Sequence, residues 1–585
     1  MCSSDLIMTR TIDPSPALSR RTFVKGVALG SAAAALGWWP SNAWAAGPVR
    51  QPQGVLSGTE FDLRIGETDV NVTGRARTAL TINGSLPGPM LRWREGDTVT
   101  LRVTNRLRRA DTSIHWHGLI LPAAMDGVPG LSFHGIRPGE TFTYQFDVKQ
   151  SGTYWYHSHS GFQEQQGVYG PIVIEPRDAD PVQADREHVI LLSDWTDEDP
   201  DRMYAKLKKQ PTYYNYHRRT LGDFFKDVRT RGLGATLSDR AMWGAMRMNP
   251  TDLADVTGAT YTHLMNGVTP AGNWTGLFAP GERVRLRFIN GSAMTYFDVR
   301  IPGLKMTVVA ADGRPVHPVT VDEFRMATAE TFDVIVEPSG QEAFTIFAQA
   351  MDRTAFAAGT LAVREGLRAP VPAMDPRPLL SMADMGHDVA AHAGHGMNHM
   401  PSPAHPASEA GNPLVDMQAL LPMSQLDDPG IGLRGNGRRV LTYSDLGSLF
   451  PDPDGREPGR EIELHLTGHM EKFAWSFNGI KFSDAEPLRL AYQERVRVVL
   501  VNDTMMTHPI HLHGMWSDLE NDAGDFLVRK HTIDMPPGTR RTYRVTADAL
   551  GRWAYHCHLL FHMEAGMFRE VQVRSEEHTS ELQSH

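Results

Sequence analysis

Histidine recurs across one intervening residue four times, as His115-Trp116-His117, His157-Ser158-His159, His511-Leu512-His513 and His556-Cys557-His558. With 25 histidines in 585 residues, chance placement gives about one such triplet, so four make a pattern. All four sit in text that reads as strand, where residues i and i+2 share a face, so each triplet aims two imidazoles at one place. Imidazole suits copper and zinc. The same alternation turns Cys557 away from His556 and His558, towards a second site on the other side of the strand. His562 follows Cys557 by five residues, Met567 follows His562 by five, and His508 precedes His511 by three. Two histidines, one cysteine and an axial methionine are the ligands of a blue, electron-transferring copper. Structural zinc prefers several cysteines and has no use for a thioether.

These motifs need rigid strands. From about 54 to 176 the chain reads as short strands rich in Val, Ile, Thr and aromatics, with turns at Asn83-Gly84, Pro87-Gly88 and Pro138-Gly139, which predicts an all-β sandwich. A second β-rich unit, about 185–365, carries a stretch from Arg218 to Met248 with helical character. A third, about 438–573, repeats the first unit's plan: the alternating strand 495–501 leads into one histidine motif, and a second motif closes the unit. The expected division is 47–180, 181–368, a linker at 369–435, and 436–573. In the linker Met382, Met385, Met397 and Met400 alternate with His387, His392, His395, His399 and His405. It reads as a mobile segment that captures copper, since thioethers favour Cu(I) and imidazole accepts either oxidation state; the plainer reading is a solvated linker of unusual composition. Met242, Met246 and Met248 read either as further Cu(I) contacts or as helix-face packing.

The formal charge of -10 supplies no basic face for nucleic acid. Arg20-Arg21 ahead of a small apolar run from Gly26 to Trp39, then Ala43-Trp44-Ala45, reads as a twin-arginine export signal within residues 1–46. That run falls short of the roughly 20 apolar residues of a membrane span, no later segment reaches it, and a soluble periplasmic monomer is expected. Residues 1–6 and 574–585 can be encoded by a sequencing adapter and its reverse complement, so native sequence is expected to start at or before Met8 and to be cut near Val573. With Cys2 set aside on that ground, Cys557 stands alone, which excludes an internal disulfide and leaves an inert thiol, a reactive thiol or a metal ligand.

The motifs HWHG at 115–118, HSH at 157–159, HPIHLHG at 508–514 and HCHLLFHMEAGM at 556–567 resemble those of the multicopper oxidase family. The resemblance implies three cupredoxin-like Greek-key sandwiches with a trinuclear copper site between the first and third, and four copper ions in all. It places His508, Cys557, His562 and Met567 on type 1 copper and His115 and His511 on type 2. The type 3 pair takes His117, His157, His159, His513, His556 and His558. Electrons would pass from type 1 copper through Cys557 to the trinuclear cluster, where dioxygen becomes water. Asp126 matches a carboxylate that some members place beside the cluster for protons; a turn-forming Asp-Gly is the alternative. Some copper-oxidising members carry Glu after the last type 1 histidine, where this chain has Met563, with Glu564 one residue further on.

More of the chain, about 50–573, resembles the CopA-type copper-resistance branch, through Asp126-Gly-Val-Pro-Gly130, Gly152-Thr-Tyr-Trp-Tyr-His157, Met246-Arg-Met-Asn-Pro-Thr-Asp252 and Met567-Phe-Arg-Glu570. This implies oxidation of Cu(I) to Cu(II), with periplasmic copper carriers as possible partners. The alternatives are a laccase acting on small phenols and a copper-sequestering protein without turnover. Storage needs no electron wire, which speaks against the last, and a nitrite reductase does not need four triplets. Trp116, Trp155 and Tyr156 read as packing walls, and His134 and His531, without partners at ligand spacing, as surface or hydrogen-bonding residues.

Overall fold

The computed structural model describes residues 54–386 and 405–575. Six sheets pair into three sandwiches. In the first, the strand Glu60–Val70 turns Phe61, Leu63 and Ile65 inward and Asp62 and Arg64 outward, the period-two pattern of a half-buried strand. It runs parallel to Thr98–Asn105, whose Val99, Leu101 and Val103 complete the layer. The second and third sandwiches have the same strand order in both of their sheets, one of six strands and one of five. Their cores run together into one apolar cluster, whereas the first keeps its own. Where the first meets the second, Thr153 donates to Asp333, which also takes Arg285 and Arg287, so the buried charges are paired.

One device recurs in all three units: a central strand ends in a fully buried asparagine, Asn105, Asn290 or Asn502. Each side-chain amide donates to backbone carbonyls of two separate segments: Ala110 and Ile136, Thr295 and Met326, or Met506 together with Met535 and Pro536. Each side-chain oxygen accepts the amide two residues on, from Leu107, Ser292 or Thr504. These bonds fix the loop leading into the next strand, which in the first and third sandwiches carries histidines.

The expected helical stretch forms two helices, Leu221–Arg231, opened by a Thr220–Asp223 capping box, and Leu233–Ala245. Met248 is buried, Met246 packs on the core and Met242 is exposed. The linker differs from expectation. Its described parts lie against the sandwiches, burying Leu380, Met385, Met417, Ala419 and Leu426, and Ala419 donates its amide to Asp503. Apolar side chains spaced among the prolines give it surface to bury, and backbone donors find partners, so these parts are packed rather than mobile. Met385 is core and Met382 packs on it, which removes both from a solvated capture tract. Met397, Met400, His387, His392, His395 and His399 lie outside the described residues, as do residues 1–53 with the expected export signal. Among the described residues no helix is long and apolar enough to cross a membrane.

Candidate metal centre

The strand His115–His117 pairs antiparallel with Gly152–His157, setting His115 opposite His157. In the third sandwich His508–Leu512 pairs with Gly551–Cys557, setting His511 opposite His556. The two histidine faces meet. His115 stacks on His513 at 3.9 Å between centroids and His117 on His511 at 3.8 Å, two stacks exchanged between the sandwiches. His157 and His558 lie 4.9 Å apart, and His159 and His556 5.0 Å. All eight expected histidines are brought together; seven are buried and His159 is half-buried.

Hydrogen bonds decide which ring nitrogen faces inward. Nδ1 of His115 donates to the Asp126 carbonyl, that of His511 to the His531 carbonyl, and that of His556 to the Cys557 carbonyl. Nδ1 of His513 donates to the Asp126 carboxylate at 2.8 Å, and Nδ1 of His157 lies 2.6 Å from Glu164. Each ring thereby turns Nε2 inward, the outer-contact arrangement that orients metal-bound imidazole. Nε2 of His115, His159 and His511 and Nδ1 of His117 and His558 have no hydrogen-bond partner. Nε2 of His513 lies 3.0 Å from Nε2 of His556, and Nε2 of His558 3.3 Å from Nε2 of His157. Burial, then repulsion from neighbouring rings, holds His117, His157, His159, His511, His513 and His558 well below the ordinary imidazole range, and burial brings His556 to about 4. Those seven rings are therefore neutral lone-pair donors that converge on one space. Buried nitrogens are rarely left so, and cations with a taste for imidazole fit.

On the far face of the strand Gly551–Cys557, the Cys557 thiol lies 3.4 Å from His508 Nδ1 and 3.9 Å from His562 Nδ1, which are 3.1 Å from each other. The outer nitrogens are held: His508 Nε2 by Thr504 at 2.8 Å and His562 Nε2 by Asp255 at 2.7 Å. Trp475 stacks on His562 at 4.2 Å. Met567 is fully buried, and its carbonyl accepts the Cys557 amide. Cys557 is a free, buried thiol whose pKa burial raises well above the ordinary value; with two unprotonated nitrogens facing it, this second group fits a thiophilic metal.

Asp126 lies between the sandwiches, one oxygen on His513 and the other 3.3 Å from His115 Nδ1. Trp116, Trp155 and Tyr156 are fully buried; Trp155 stacks on His157. Met563 packs on the core. His134 is exposed, and of the two readings given for His531 the surface one fails and the hydrogen-bonding one holds. His531 is buried, its Nδ1 lies 3.1 Å from His117 Nε2, and it forms with His117 and His511 a trio able to hold a metal. Its neighbour comes from a strand over 400 residues away, which no local spacing reveals. Glu164 and Asp255 were missed too. Glu164 sits in the polar run Gln163-Glu164-Gln165, which looks like a surface turn yet is buried.

Sequence-family models described as multicopper oxidase match residues 64–179, 186–365 and 455–577. The chain is 66% identical to a copper resistance protein A homolog of Pseudomonas syringae pv. tomato, over 95% of this chain and 99% of that one. It is 65% identical to a copper resistance protein A of Escherichia coli over the same shares. Among solved structures it is similar in fold to Fet3p, a multicopper oxidase that functions in iron import, with a TM-score of 0.63, 20% identity, and 90% of this chain and 95% of that one covered. A laccase from Botrytis aclada gives a TM-score of 0.59 at 21% identity, covering 92% and 90%.

Proposed function

The chain belongs to the multicopper oxidase family, a copper-dependent oxidase, and on that premise we infer that it oxidises Cu(I) to Cu(II) in the periplasm after twin-arginine export, as part of copper resistance. The observation that carries the choice of Cu(I) is the outer edge of the Cys557 group. Asp255, bonded to His562, lines a small cavity together with Met294, Met351 and Met506. A carboxylate beside thioethers suits a small soft cation, and the cavity is too narrow for an easy fit to a phenol ring. The names of the relatives at 64–66% identity support the same reading.

In this reading His508, Cys557, His562 and Met567 hold type 1 copper, and His115 and His511 hold type 2. The remaining six histidines form two trios for the type 3 pair, His117 with His157 and His558, and His159 with His513 and His556, whose ring centroids lie 4.9 to 5.7 Å apart. Copper held by these residues would supply one-electron redox chemistry and, with four electrons and four protons, the reduction of dioxygen to two waters. Cys557 shares a backbone with His556 and His558, so one strand joins the two groups. Asp126, touching rings from both sandwiches, holds the His513 tautomer and is placed to pass protons inward. Thr504 and Asp255 fix the ring planes of His508 and His562. Burial of both groups excludes bulk water.

Oxygen uptake by copper-loaded protein, first with Cu(I) and then with a phenol, tests the substrate. Faster uptake with Cu(I), weakened at least tenfold in Asp255→Ala, is expected. Phenol-driven uptake with none from Cu(I) would overturn the cuprous reading and favour the laccase one.

A further inference from the structure

Away from both groups, two histidines and two carboxylates converge where residues 405–409 meet the third sandwich. His405 Nδ1 lies 3.3 Å from Glu409 Oε2 and 3.4 Å from Asp503 Oδ2. His465 Nδ1 lies 2.6 Å from the same Asp503 oxygen and 3.9 Å from Glu409 Oε1. The side chains of Glu409, His465 and Asp503 are fully buried, and that of His405 is 21% exposed.

Two observations point to a ligand. Glu409 Oε1 is buried without a hydrogen-bond partner, as is His405 Nδ1, and both face the centre of the cluster. His465 Nε2 is turned to Glu463 at 3.3 Å, so Nδ1, hydrogen-bonded to Asp503 at 2.6 Å, is the nitrogen that faces the centre, where an ion would replace that bond; an outer carboxylate on the other ring nitrogen is typical of metal-bound histidine. The carboxylates are held from outside: Gln418 donates to Glu409 and the Ala419 amide to Asp503. Two buried carboxylates carry two negative charges, which a dication would neutralise while leaving both imidazoles neutral.

We propose that His405, Glu409, His465 and Asp503 bind one divalent transition ion of the class served by two imidazoles and two carboxylates, Zn(II) or Cu(II), and so clip the end of the Met/His-rich segment to the third sandwich. This site is independent of the oxidase reading. The bland competitor is a proton: His465 as imidazolium between the two carboxylates, a direction its raised pKa, driven by Asp503 and Glu409 against burial, also allows.

The test uses the full-length, copper-loaded protein after removal of loosely held metal, titrated with Zn(II) and separately with Cu(II) against a competing chelator. Wild type should bind an additional ion that Glu409→Gln and His405→Ala each weaken at least tenfold. X-ray absorption at the zinc edge should show nitrogen and oxygen neighbours with imidazole scattering, lost in Glu409→Gln. Unchanged blue absorption reports that each variant is folded, and His405→Ala, at the half-open edge, decides should Glu409→Gln not fold. Equal affinity for both ions in wild type and the folded variants would overturn the proposal and leave the proton-bridged cluster.

Discussion

The first and third sandwiches carry the same loop around two different clusters. Ser158 stands where the third has Cys557, Gln163 where it has His562, Val168 where it has Met567 and Thr112 where it has His508. The backbones agree. The Ser158 amide bonds the Val168 carbonyl at 2.9 Å as the Cys557 amide bonds that of Met567 at 3.1 Å, and Gly167 and Gly566 hold φ of +118° and +122°. In the first sandwich the Gln163 carbonyl oxygen accepts both hydroxyls, from Thr112 at 2.6 Å and Ser158 at 3.0 Å, and its amide donates to the Asp111 carbonyl. That cluster is closed and needs nothing further. In the third, a single thiol proton faces two imidazole lone pairs, too few donors for the acceptors that converge there. The fold accepts either; a ligand is demanded only where the polar groups cannot satisfy one another. The second sandwich makes the same point with a third solution. By strand register Arg300, Phe347 and Gln349 replace His511, His556 and His558, and Arg300 pairs with buried Glu323.

The comparison is broken most severely by Cys557→Ser, which installs the first sandwich's residue in the third. A hydroxyl does not ionise as a thiolate does, so the blue absorption and oxidase turnover should both fall to background, with one copper fewer per chain by elemental analysis. Retained blue colour would sink the Cys557 assignment. Next in size is acid sensitivity of the metal-free protein. Burial holds His556 and His531 at about 4 and His263 at about 3, below the ordinary 6.5. The unfolded chain takes up protons on these rings as pH falls through 6.5 while the folded one does not, so their contribution is present above 6.5 and lost towards 4. Every tenfold loss of proton affinity on folding is worth about 1.4 kcal/mol per ring, and the closed Thr112–Ser158–Gln163 cluster, having no titrating group, adds nothing. The Tm of metal-free protein should therefore drop steadily from pH 6.5 to 4; a flat profile would count against neutral, crowded rings.

The triplets and the Cys557 spacing were legible because strand alternation converts sequence spacing directly into facing. What was not legible came from other strands or loops. His531 reaches His117 only through docking of the sandwiches, and Asp255 reaches His562 from a loop of the second, 307 residues away. Glu164 was hidden by polar neighbours that imitate a surface turn. The described flanks of the linker have a composition that looks solvated, yet Leu380, Met385 and Leu426 at intervals suffice to seat them. One signal was present and unread: the strands ending Val103-Thr-Asn105, Phe288-Ile-Asn290 and Leu500-Val-Asn502 spell the asparagine device three times.

Two milder substitutions sharpen the comparison. Asp126→Asn offers His513 an amide in place of a carboxylate, and the loss should lower kcat by about tenfold to a hundredfold while the blue absorption, on the other face of the strand, stays unchanged. Loss of the blue band instead would tie Asp126 to the wrong cluster. Ser158→Ala removes one of the two hydroxyls on Gln163 and leaves the Thr112 bond in place. It should cost only about 1 kcal/mol of stability in denaturant unfolding, with copper content and kcat unaltered. If it cost as much function as Cys557→Ser, the first sandwich's cluster would be part of the electron path, and the contrast between a closed polar cluster and an open one would fail.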